Sequence, residues 1–114
     1  MTEPIWHYTC DHRAAGIRRD GTVNPHPQPA LGDVPLSWWT DFERGRRFEV
    51  GLTSLILSCD RMAHRFEVKD PSALTWWPVA ARALQVPREV RDDLEDGRLP
   101  AHWWVAFEPV EVIT

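Results

Sequence analysis

The sequence predicts an α+β fold: a small central antiparallel or mixed sheet with a few peripheral helices. Three observations carry this expectation. Strand-like segments open and close the chain, with Ile5–Thr9 alternating apolar and polar residues and Trp103–Phe107 and Val110–Ile113 at the far end. Two segments between them carry helix boundary signals, one after Asp11 and one after Pro87. The chain has 114 residues with 43% hydrophobic content, which suffices for one core and leaves little for a second, so residues 1–114 read as a single domain.

In order, Ile5–Thr9 is the first strand. Asp11 is expected to cap a helix over about residues 12 to 19, with Gly21 just past its end and Ala14 and Ile17 as its buried stripe. Thr22–Val23 can form a second short strand. Asn24–Pro35 holds four prolines and a glycine and is expected to be an ordered, irregular loop beside the functional pocket. Leu36–Thr40, "LSWWT", is a strand with a polar end. "DFERGRRFEV" reads as a basic turn around Gly45, Leu55–Leu57 as a buried stretch, and Met62–Val68 as a strand broken by Asp70–Pro71. Trp77–Leu84 holds one or two helical turns. Pro87 and Gly97 bracket a further helix whose Val86, Val90 and Leu94 make a narrow apolar stripe.

Formal net charge is −4, and the clustered basic residues are Arg44, Arg46 and Arg47, which disfavours extensive binding to duplex nucleic acid. The sequence has no apolar run long enough to span a bilayer, and its opening Met1–Thr2–Glu3–Pro4 is polar, which points to the cytoplasm. In that compartment Cys10 and Cys59 are expected to be reduced.

"IWHYTCDH", residues 5 to 12, concentrates polar chemistry near the start. Cys10 with His12 and Cys59 with His64 do not form the compact ligand pairs of structural zinc sites, so no metal is expected. Cys10 with His7 or His12 could form a thiolate–imidazole pair, but nothing supplies an orienting third member or an oxyanion hole. Three of the seven-tryptophan chain's motifs are adjacent pairs: Trp38–Trp39, Trp76–Trp77 and Trp103–Trp104. In a strand each pair sends one ring to either face. Outward rings either scatter on the surface or line a pocket for a flat ligand.

"IWHYTC" before a short helix, then "GIRRDGTVNP", then "VPLSWWTD", resembles the opening of the ADP-ribosyltransferase superfamily, particularly its diphtheria-toxin-like and DNA-modifying toxin branches. The closing "HWWVAFEPVEV" is similar to the superfamily's late strand. The likeness extends over most of the chain and to small bacterial and phage proteins of this plan. It implies NAD as substrate, transfer of ADP-ribose to a protein or nucleic-acid acceptor, and a toxin or phage–host conflict setting. NAD needs donors and acceptors for its ribose hydroxyls, an aromatic surface for its nicotinamide, and cations near its diphosphate. By resemblance His7 would bond a ribose hydroxyl with Thr9 in the same pocket, Trp38 or Trp39 would stack on a ring, and Thr40 would be a polar anchor. Arg18, Arg19 or Arg46 would meet phosphates. The superfamily's catalytic carboxylate position falls at His102, which makes His7 and His102 the expected catalytic residues. Glu108 reads as a solvated strand end. The alternative is a catalytically inactive member of the same fold that binds a protein partner through exposed tryptophans.

Overall fold

The computed structural model describes residues 4–42 and 63–114. The elements, in chain order, are β1 (Trp6–Thr9), α1 (Asp11–Asp20), β2 (Thr22–Val23), β3 (His26–Gln28), β4 (Val34–Thr40), β5 (His64–Glu67), β6 (Thr75–Trp76), α2 (Trp77–Ala83), α3 (Arg88–Glu95), β7 (Trp103–Ala106) and β8 (Val110–Glu111), with single 3-10 turns at Pro29–Leu31, Pro71–Ala73 and Pro100–His102. The expected basic turn around Gly45, the buried Leu55–Leu57, the strand start at Met62, and Cys59 and Arg46 lie outside the described residues. No helix among the described residues is long and apolar enough to cross a membrane.

The fold is α+β with an antiparallel sheet. Its main sheet runs β5-β1-β4-β7-β6, with β3 paired to the start of β4, and β2 and β8 form a separate two-stranded sheet. Register follows from the aromatic pairs: Trp39 faces Trp104, and Trp76 faces Trp104 from the other side. Alternation then divides the sheet into two faces. On one, Ile5, Trp39, Phe66 and Ala106 pack against Ala14 and Ile17 of α1 and against Val23 and Val110 of the small sheet. On the other, Leu36, Trp103 and Val105 pack against Trp77, Ala80 and Ala81 of α2, with Val86 and Leu94 closing the edge. Trp38 leans on that second core and Trp104 on the first, so these two tryptophan pairs do send one ring each way.

The start of α1 departs from expectation, and its end does not. Cys10, not Asp11, is the N-cap of α1: its backbone is extended at φ −89° and ψ 169°. Asp11 sits one residue inside, where a carboxylate favours the helix dipole, and its side chain pairs with the His64 imidazole of β5. Gly21 ends the helix in the left-handed conformation at φ 72°, its N–H bonded to the Ile17 carbonyl at 2.7 Å.

The proline-rich stretch is the larger departure. Asn24–Pro35 is not irregular throughout: it contains β3 and a tight turn leading into β4. Pro27 stands directly opposite Pro35 in the ladder. In an antiparallel pair every second position exchanges no hydrogen bonds. Two prolines facing each other there lose nothing by lacking N–H groups.

Candidate functional site

Side chains with unspent chemistry gather in two places along β4, one on each side of the sheet. The first is built on β1. His7 lies against the Trp39 indole, ring centroids 5.3 Å apart at 50°. Its Nδ1 is 2.8 Å from the Trp38 carbonyl. A carbonyl only accepts, so Nδ1 carries the proton and Nε2 is left as an acceptor. Burial of the ring, opposed by that hydrogen bond and reinforced by the nearby charges of Arg13 and His26, lowers the His7 pKa to about 4. At neutral pH the imidazole is uncharged. No fully enclosed side-chain nitrogen or oxygen lacks a hydrogen bond among the described residues, so Nε2, which has no such partner, retains some access to solvent.

The second place forms where β4 ends and β7 begins. Thr40 Oγ1 donates to the His102 carbonyl at 2.8 Å and accepts from the Phe42 N–H at 3.2 Å. His102 Nδ1 donates to Asp41 Oδ1 at 2.8 Å, and the imidazole stacks on Phe42 with centroids 4.3 Å apart at 26°. The Tyr8 hydroxyl donates to the Phe42 carbonyl at 2.7 Å. Four residues, Tyr8, Thr40, Asp41 and Phe42, thus brace one imidazole directly or through one another. His102 is 44% exposed by side chain and Asp41 is half-buried behind it. With Nδ1 held by a carboxylate, the neutral ring presents Nε2 as a base.

The sequence-derived set divides between these places. His7, Thr9 and Trp39 lie on the α1 side, and Thr9 and Trp39 are buried, Trp39 at 2% exposure. The Trp39 Nε1–H is committed to Ser37 Oγ at 2.8 Å. Trp38 and Thr40 lie on the opposite face; Trp38 is half-buried, its Nε1–H donating to Gln28 Oε1 at 3.2 Å. Thr40 is anchored by its two bonds rather than open to a ligand. His102 joins Thr40 but not His7. Arg46 lies outside the described residues. Arg18 donates to His64 Nδ1 at 3.0 Å and lies over the ring of Phe66, the strand neighbour of His7, whereas Arg19 pairs with Asp20 at 3.0 Å. Glu108 is exposed.

Sequence reasoning passed over Asp41 and Phe42 and set Tyr8 aside. Asp41 stands 61 positions from His102, and no spacing rule joins them. Alternation did offer one signal: Tyr8, Trp38 and Thr40 share a face, so the polar end of "WWTD" had to be read with Tyr8 and not with His7.

Comparison with known proteins returns no matching family model, no matching curated protein and no matching solved structure. The function is therefore argued from these side chains. Among the described residues no three His, Cys, Asp or Glu side chains group as a metal site requires.

Proposed function

We propose that the chain is a minimal ADP-ribosyltransferase-like domain that binds NAD as substrate and transfers ADP-ribose to a macromolecule, in a toxin or phage–host setting. The observation that supports it best is the 2.8 Å bond from His102 Nδ1 to the Asp41 carboxylate, with the imidazole exposed beyond it. The superfamily likeness wants a carboxylate at the His102 position. Asp41 supplies one there through the imidazole.

In the proposed transfer the glycosidic bond between C1′ and the nicotinamide nitrogen breaks, and nicotinamide leaves with the electron pair. An oxygen or nitrogen of the acceptor attacks C1′ and gives its proton to His102 Nε2. Asp41 stabilises the resulting imidazolium and fixes its orientation. His7, neutral at physiological pH with Nε2 unprotonated, accepts a hydrogen bond from a ribose hydroxyl. His7 and His102 approach β4 from opposite faces of the sheet, at Trp38 and at Asp41, so the reading requires one NAD to pass around the end of that strand to meet both.

Calorimetry with NAD and a nicotinamide-release assay test the reading. His7→Ala should abolish NAD binding. Asp41→Asn should bind NAD like the parent and release nicotinamide roughly a hundredfold more slowly. His102→Glu, which restores a carboxylate, should keep binding and raise release. A parent chain that does not bind NAD, or a His7→Ala variant that binds it equally well, defeats the proposal. The alternative then takes its place: an inactive member of the same fold acting as a tryptophan-rich interaction module, a reading favoured by the 44% exposure of Trp76.

A further inference from the structure

The edge of the sheet farthest from β5 ends in β6, whose outer side pairs with no strand among the described residues. There Trp76, Pro78, Val79, Arg82 and Arg91 line an open cavity of about 370 Å³, near the lower end of the ~300–1,000 Å³ typical of ligand pockets. Its apolar wall is built, not incidental. Trp76 is 44% and Val79 55% exposed, so both present large apolar surface to water. The Trp76 indole is nevertheless fixed, because its Nε1–H donates to the Ala101 carbonyl at 2.8 Å. An aromatic ring held in place before binding loses little entropy on contact. The adjacent Trp77 is fully buried in the second core and anchors the start of α2.

The charged wall decides what enters. The Arg82 residue is exposed, and its guanidinium has no hydrogen-bond or ion-pair partner among the described residues. Arg91 uses Nε for Glu95 Oε2 at 2.5 Å, which fixes its guanidinium at the groove rim. An anchored aromatic beside aliphatic surface and two arginines is the composition of an interface hot spot.

We propose that this groove docks an acidic peptide segment, an apolar side chain against Trp76 and Val79 and carboxylates against Arg82 and Arg91. A nucleic-acid strand suits it less well. Pro78 and Val79 offer aliphatic surface that suits a peptide's apolar side chain and no flat surface on which a base can stack. Peptide capture needs neither His7 nor His102, so NAD binding and docking succeed or fail separately.

The test is fluorescence anisotropy with a fluorescein-labelled EDLFDE peptide, set against EDAADE, KKLFKK and a single-stranded oligothymidylate. EDLFDE should bind, EDAADE and KKLFKK should bind at least tenfold more weakly, and affinity should fall as salt rises. Arg82→Glu should weaken EDLFDE binding by roughly tenfold or more, the equivalent of about 1.4 kcal/mol. Trp76→Ala should do the same. If Trp76→Ala does not fold, Val79→Asp at an exposed helical position serves in its place, and the circular dichroism of each variant is checked first. No binding of EDLFDE, equal binding to Arg82→Glu, equal binding of KKLFKK, or tighter binding of the oligothymidylate overturns the proposal.

Discussion

Acidification should destabilise this fold through His7, and by an amount the structure sets. In the unfolded chain the imidazole takes up a proton near pH 6.5, and in the fold only near pH 4, chiefly because burial penalises the charged ring. Between those values the unfolded state holds the extra proton, so stability rises with pH across the window and is lost as pH falls through it. The gap converts to about 3 kcal/mol between neutral pH and full protonation. Most of that is gone by about pH 4.5, a large share of the ~5–15 kcal/mol that holds a domain of this size. His26, also lowered by burial and by Arg13, acts in the same direction. The clean comparison is therefore between the parent and His7→Asn, whose amide can still donate to the Trp38 carbonyl but does not titrate. Urea unfolding at intervals from about pH 7.5 to about pH 4.5 should show the parent losing about 2–3 kcal/mol more than the variant. Parallel loss in the two proteins would refute the account, as would an NMR titration placing the His7 midpoint near its ordinary value.

Two further outcomes follow from the packing. Gly21→Ala should cost about 1 kcal/mol in urea unfolding, because the position needs φ 72° while an added Cβ meets nothing within 4 Å, leaving backbone strain as the whole cost; Gly21→Asn should recover part of it. Trp77→Ala should cost about 3–5 kcal/mol by the same measurement, since it empties a fully buried site and removes the 3.0 Å bond to Glu95.

Local rules read much of the fold correctly where the relevant partners are close in the chain. Alternation in "IWHYT" marked β1, and Gly21 marked the end of α1. Pro87 and Gly97 marked the two sides of α3, with Gly97 taking φ 69°. The prolines misled because their effect depends on the neighbouring strand. Counted singly, Pro27 and Pro35 break a strand; placed opposite each other, they leave the ladder intact. The site was legible only in part for a related reason. His7 was visible as a polar residue beside an apolar strand. Its tautomer depends on a carbonyl 31 positions away, and the carboxylate behind His102 on a residue 61 positions away. Grouping Trp39 with Thr40 set neighbouring residues on one side of a strand that sends them to two.

The main sheet also works as a partition. β4 and β7 give Trp39 and Ala106 to one core and Leu36, Trp103 and Val105 to the other, so each core uses the same two backbones as a wall. Neither layer can come apart while that wall keeps its shape, and a wall stripped on one face loses the packing that keeps it flat. The amides of β4 and β7 should thus exchange with solvent deuterium only through global opening, at the slowest rates in the molecule. Those of β5 and β6, which have no outer strand partner among the described residues, should exchange earlier. With two hydrophobic interiors among the described residues sharing one wall, heating should give a single melting transition.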